Sequence, residues 1–188
     1  MPSERVPSPR LQRMIQGLIA LGMLVALAGF GFAAWRVKRP RVDPSAREVA
    51  QLETRRVDSV VAIQRGDSSF IVHYLRGRPH VLYFLETVCP ACSSQREHVA
   101  GLLGGIDTAS VLSLTIERTP NVRGYWRDIG APLPEPLMVS QGWIDSLGVR
   151  GVPTMLFLDT DGKVRKAVLG QMLMWSRMRF KDEFAKLQ

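Results

Sequence analysis

Apolar residues are distributed along this chain in two regimes. Met14 to Trp35 (MIQGLIALGMLVALAGFGFAAW) is a run of 22 residues with no charge and one interior polar side chain, Gln16. As a helix rising 1.5 Å per residue it would span about 33 Å, enough for a hydrocarbon core of roughly 30 Å. Trp35 at its far edge suits the headgroup layer, where the ring can be half buried and its N–H wet. Ala26-Leu27-Ala28 before Gly29 offers a small-residue cleavage site, so a secretory signal is the alternative. The apolar run continues past that site, and the expectation is an uncleaved signal-anchor.

After Pro44 the apolar positions are short-ranged and periodic, as in a folded domain. Val49, Leu52, Val57, Val60 and Val61 recur at near-helical spacing and predict a helix over 45–64, with Val60 to Ile63 ambiguous between helix and strand. Val81 to Leu85 (VLYFL) predicts a strand covered on both faces, Pro90 to Leu103 a helix, and Val111 to Ile116 a second strand. A strand–helix–strand unit of this kind normally joins parallel strands. Pro120 to Pro136 is irregular, with a short helix expected near Val122 to Ile129. Trp143 to Leu147 predicts a short helix, and Met155 to Asp159 with Lys163 to Leu169 predicts a hairpin around Asp161-Gly162. An amphipathic helix from Leu173 to Leu187 closes the chain.

Charge sharpens this division. The net charge is +8, yet residues 1–41 hold seven bases and one acid, leaving 18 bases and 16 acids for the rest. The body is nearly neutral, so a nucleic-acid partner is not expected. The bases crowd both ends of the apolar run, as they do around a membrane anchor, but they do not choose its orientation. The expected organisation is a basic tail over 1–13, a transmembrane anchor over 14–35, a juxtamembrane linker and helix over 36–68, and an α/β domain over 69–188.

Both cysteines of the chain lie in one Cys89-Pro90-Ala91-Cys92 element between a predicted strand and helix. Cys89 at a helix N-terminus would have its sulfur's negative charge stabilised by free backbone N–H groups and the helix dipole. Pro90 suits the first helical turn, where its missing N–H costs nothing. Cys92, nearly one turn on, lies on the same side and can attack a mixed disulfide formed on Cys89. Two other readings compete. A zinc site would need ligands from His73, His80 and His98, which lack a paired spacing. A structural disulfide closing a two-residue loop would stabilise the fold poorly. Redox chemistry is the expectation, with no cofactor and no metal.

Three stretches carry a resemblance to a known family. Tyr74 to Cys92 (YLRGRPHVLYFLETVCPAC), Leu147 to Asp161 (LGVRGVPTMLFLDTD) and Asp161 to Gly170 (DGKVRKAVLG) resemble the lead-in and Cys-x-x-Cys, the Gly-Val-x-Gly-Val-Pro-Thr segment, and the closing hairpin of the thioredoxin superfamily. Within it they look like the membrane-anchored TlpA/ResA-like thiol–disulfide oxidoreductases. The resemblance implies a thioredoxin-like three-layer fold, a central mixed sheet with flanking helices, preceded by one transmembrane helix. It implies a cis bond before Pro153, with the Val152 backbone pairing with a substrate chain. It further implies a disulfide-bearing protein substrate, a membrane thiol donor or acceptor, and a reductant's role outside the cytoplasmic membrane, for example in cytochrome c maturation.

The sequence departs from the family's pattern at several places. Val88 replaces the usual aromatic before the first cysteine, Tyr83 stands where thioredoxins proper bury an aspartate, and Gln95 stands where some relatives carry an acid. Glu86 is left as a candidate proton acceptor, provided it faces Cys92. It also occupies the place where peroxiredoxins need Thr or Ser, so peroxidase chemistry is not expected. Trp143, Trp175, Phe157 and Phe184 are expected in the core, Tyr125 and Trp126 in a packed loop, and His98 facing solvent. A copper-handling module using Cys89, Cys92 and one histidine is the alternative function, since sulfur ligands suit Cu(I).

Overall fold

The computed structural model describes residues 44–63, 69–117, 122, 124–170 and 172–188. Among them no helix is long and apolar enough to cross a membrane. The basic tail and the apolar run from Met14 to Trp35 lie outside them.

The fold is built around His80–Phe84 (β3), whose five residues are all buried. A strand presents alternate side chains to opposite faces, so this apolar run feeds two cores at once. Val81, Tyr83 and the following Leu85 enter one apolar cluster, and Leu82 and Phe84 enter the other. β3 pairs parallel with Val111–Thr115 (β4), which pairs parallel with Leu137–Met138 (β5). On its other side it pairs antiparallel with Thr154–Leu158 (β6), which turns back into Val164–Leu169 (β7). The mixed sheet therefore runs β5-β4-β3-β6-β7.

One face of the sheet is covered by the helices Pro90–Ser94 (α2), Arg96–Leu103 (α3) and Arg177–Ala185 (α5). Phe157 stacks on Trp175 at 5.6 Å between ring centroids, and Phe180 packs beside both. Each such buried side chain contributes about 1.5–3 kcal/mol of transfer free energy. The opposite face is covered by Pro44–Leu52 (α1), Ser59–Ile63 (β1) and Gln141–Leu147 (α4). Trp143 is only partly buried, where it stacks on Phe84.

Several element boundaries differ from the expectations. The helix predicted over 45–64 stops at Leu52, and Ser59–Ile63 is a strand paired antiparallel with Phe70–Tyr74 (β2). Its burial alternates with period two, and its β-branched Val60, Val61 and Ile63 suit a pleated surface better than a helix. Leu52, Val57 and Val60 belong to the sheet's second core, so the expected boundary at residue 69 falls inside the compact unit Asp43–Gln188. The helix expected over 90–103 is broken at Gln95, whose backbone leaves helical geometry. Around Val122 to Ile129 the described helical residues, Val122, Gly124 and Arg127–Ile129, are in 3₁₀ and not α-helical geometry. The last helix starts at Arg177, where the Ser176 hydroxyl accepts the Arg179 N–H and caps the first turn.

The β6–β7 turn contains Gly162 at φ +76°. A side chain there would be strained and would collide with the carbonyl of Val57, whose N–H donates to the Gly162 carbonyl at 2.7 Å. This contact fastens the segment between α1 and β1 to the hairpin.

Candidate active site

Cys89 caps the N-terminus of α2: its Sγ accepts the backbone N–H of Cys92 at 3.1 Å. The Cys89 thiol also donates to the Val152 carbonyl oxygen across 3.7 Å, and Val152–Pro153 is a cis peptide bond. Residues 63 positions apart in sequence thus meet at one sulfur. Both cysteines are free thiols, Cys89 half-buried and Cys92 fully buried. A partner can reach the first sulfur and not the second.

Burial is the largest influence on Cys92. Together with the hydrogen bond to the Cys89 sulfur it pushes the Cys92 thiol up to about 12, against the backbone N–H of Glu86, which favours the thiolate. The Glu86 carboxylate lies within electrostatic reach and opposes ionisation of Cys92. Glu86 is half-buried and lines a cavity of about 690 Å³ with Arg55, Arg150 and Val152. The main chain of Glu86 therefore supports the Cys92 thiolate, while its side chain is set among the cavity residues.

Three further side chains organise the site. Glu117, just past β4, accepts the N–H groups of Thr87 at 2.8 Å and Val88 at 3.2 Å, so one carboxylate orders the loop before Cys89. Nothing in the cysteine motif points to it. The available signal was its place beyond the carboxyl end of a strand paired parallel to β3, where sites in parallel sheets gather. Gln95 is 2% exposed, donates to the Gly170 carbonyl at 3.3 Å and accepts the Met172 N–H at 2.6 Å. Gly170 in turn donates to the Pro153 carbonyl at 2.8 Å, so α2, the cis-proline and the loop after β7 form one hydrogen-bonded unit. His98, expected to face solvent, is half-buried with Nε2 3.2 Å from the Met172 carbonyl oxygen.

Beneath the cysteines lie the aromatic residues of the irregular stretch. Tyr125 and Trp126 are buried, the Tyr125 hydroxyl donates to the Cys92 carbonyl at 3.3 Å, and Trp126 Nε1 donates to Ser113 at 3.0 Å. Among the described residues no three His, Cys, Asp or Glu side chains gather to hold a metal ion. The copper alternative therefore finds no third ligand of these types beside the pair.

No protein-family model and no curated protein matches the sequence. The backbone is similar to a thiol:disulfide interchange protein of the thioredoxin family from Chlorobium tepidum, with a TM-score of 0.53 and 19% identity over 70% of this chain and 94% of that one. It is also similar to the thioredoxin domain of a thiol-disulfide oxidoreductase from Bacteroides vulgatus (TM-score 0.55, 9% identity, 72% and 97% covered). The fold is thioredoxin-like. A thiol-disulfide isomerase from Corynebacterium glutamicum shares it, with a TM-score of 0.50 and 17% identity over 71% of this chain and 96% of that one. On the thioredoxin-like frame, Cys89 stands at the head of the first helix after the central strand, with the cis-proline loop beside it.

Proposed function

We propose that this protein is a thiol–disulfide oxidoreductase that exchanges disulfides with partner proteins through Cys89 and Cys92. The observation that carries the reading is the convergence on Cys89 Sγ of the Cys92 N–H and the Val152 carbonyl beside Pro153. Cys89 as thiolate attacks a partner disulfide, forming a mixed disulfide and releasing one partner thiolate, which takes up a proton. Cys92 loses its proton and attacks Cys89 Sγ. The intramolecular disulfide forms, the mixed disulfide breaks, and the second partner sulfur leaves. Two electrons pass from the cysteine pair to the partner, and no cofactor takes part. The Val152 backbone, next to the reacting sulfur, aligns the partner's extended chain.

The uncharged run Met14 to Trp35 between basic clusters supports tethering by one transmembrane segment. We place the catalytic domain on the extracytoplasmic side, where protein disulfides persist, with a membrane thiol protein as electron donor. The resemblance to TlpA/ResA-like proteins favours a reductant, as in cytochrome c maturation, over an oxidant. The activity is tested by insulin-disulfide reduction with the full-length chain. Cys89→Ser is expected to reduce turnover to the uncatalysed background, and full activity in that variant would contradict the mechanism.

A further inference from the structure

In the exchange proposed above, a partner disulfide reaches Cys89 across the loop that carries Val152, and two cavities flank that loop. The larger, of about 690 Å³, lies beyond the carboxyl ends of the parallel strands β3 and β4, where Glu86 and Ile116 line it. Sites in parallel sheets gather at this end, and ligand clefts commonly hold about 300–1,000 Å³. Buried Phe84, Ile144 and Val149 supply its apolar part. The smaller, of about 260 Å³, is lined by Glu48, Pro153, Leu169 and Gly170. Both share Arg150, Gly151 and Val152, and the Val152 carbonyl oxygen is 3.7 Å from Cys89 Sγ. An extended chain paired with Val152 sends successive side chains to opposite sides. The residues beside its cysteine therefore run along these cavities.

The charged side chains here divide by whether they already have a partner. Asp145 Oδ1 accepts a hydrogen bond from Gln141 Nε2 at 2.7 Å, and Glu48 Oε1 accepts the Arg150 backbone N–H at 3.3 Å. Among the described residues the guanidinium groups of Arg55 and Arg150 have no hydrogen bond or ion pair, and neither has the Glu86 carboxylate. The unpaired groups are thus two cations and one anion, a net attraction for negative charge. Arg150 is exposed on the wall common to both cavities. Arg55 reaches the larger one past Gly148, its Nη2 4.0 Å from where a Cβ on that glycine would stand. A guanidinium presents a fork of N–H donors that matches a carboxylate. We propose that Arg150, assisted by Arg55, selects partner proteins that carry an aspartate or glutamate next to the disulfide cysteine, and holds that carboxylate while Cys89 attacks. Both arginines set specificity and take no part in the exchange of bonds.

The proposal rests on the exchange reaction above, and its test separates the two. Full-length reduced protein is mixed with blocked peptides Ala-Xaa-Cys-Xaa-Ala in which Xaa is Glu, Gln or Lys and the cysteine is held as a mixed disulfide with thionitrobenzoate. The Cys89 thiolate attacks the peptide sulfur, the Cys89–peptide disulfide forms, and the bond to thionitrobenzoate breaks to release a coloured thiolate. Each rate is divided by that of the same peptide with dithiothreitol, which removes the peptide's own reactivity. At low salt the Glu peptide is expected to react about tenfold faster than the Gln peptide, near the lower end of what a charge-assisted hydrogen bond supplies, and the Lys peptide slowest. High salt should shrink the ratio. Arg150→Gln should bring it close to one, Arg55→Gln should lower it part-way, and Arg150→Glu should invert it in favour of Lys. Loss of a merely structural arginine would slow all three peptides alike. Equal corrected rates in the wild-type chain, or a Glu-over-Gln ratio that survives Arg150→Gln, would overturn the proposal and leave the exchange standing. A wild-type chain that reacts with none of the peptides would overturn the exchange reading itself, and this proposal with it.

Discussion

At Cys92 the same burial that hides the sulfur from partners also keeps its proton in place. The folded-state value near 12 lies above the ordinary thiol value of 9.0, so the thiol favours the folded state most below pH 9. Above that, the unfolded chain ionises while the folded one does not, and the contribution is lost as pH rises towards 12. Reduced wild-type protein should therefore lose stability over this window faster than reduced Cys92→Ala, as read from denaturant midpoints at successive pH values. Parallel curves would show that Cys92 is not held neutral by its site. The Cys89 side of the pair is governed by different contacts: the cap at Cys92 N, the Val152 carbonyl, and the loop that Glu117 holds from the next strand. One sulfur is thus partly exposed and the other enclosed.

At the scale of elements, the site depends on segments distant in sequence that are fastened to one another. The β6–β7 hairpin carries Pro153 at one end and Gly162 at the other, and Gly162 meets the backbone of Val57. Gly162→Ala is expected to destabilise the protein by about 1–3 kcal/mol, a cost typical of a side chain forced into left-handed backbone. Thermal unfolding checks it, and an unchanged midpoint would mean that the turn relaxes without cost. Elements whose burial is two-sided or whose caps are local were legible in the chain. VLYFL reads as a covered strand because its residues face two cores, and Cys-Pro-Ala-Cys reads as a helix start because a cap and a first-turn proline sit side by side. The strand at Ser59–Ile63 was not legible, since Val57, Val60 and Val61 fit a helical stripe as well as a pleated one and only the partner strand Phe70–Tyr74 decides. That partner has Phe70, Ile71, Val72 and Tyr74 exposed, so it carries no apolar-in, polar-out alternation. The break at Gln95 was equally hidden, because its partners Gly170 and Met172 are about 75 residues away.

Over the whole molecule, the cysteine pair and the proposed membrane anchor lie in separate stretches of sequence. Most of the +8 charge belongs to residues 1–41, around the apolar run, and the thioredoxin-like domain that follows is nearly neutral. Its reactive sulfur is therefore defined by local geometry and not by a strong surface field. The cysteine motif and the Gly-Val-Pro-Thr segment were readable as separate signals. Their meeting at Cys89 Sγ, with Glu117 holding the loop before it, comes from the parallel register of β3 with β4 and from the return of the chain through β6. The central claim is that Cys89 attacks and Cys92 resolves. Intact-mass measurement of the full-length Cys92→Ser variant after exposure to a disulfide-bearing protein tests it most directly. One covalent adduct mapped to Cys89, cleaved by reductant and absent from Cys89→Ser, is the predicted result. An adduct that forms equally well in Cys89→Ser, or none in Cys92→Ser, would contradict it.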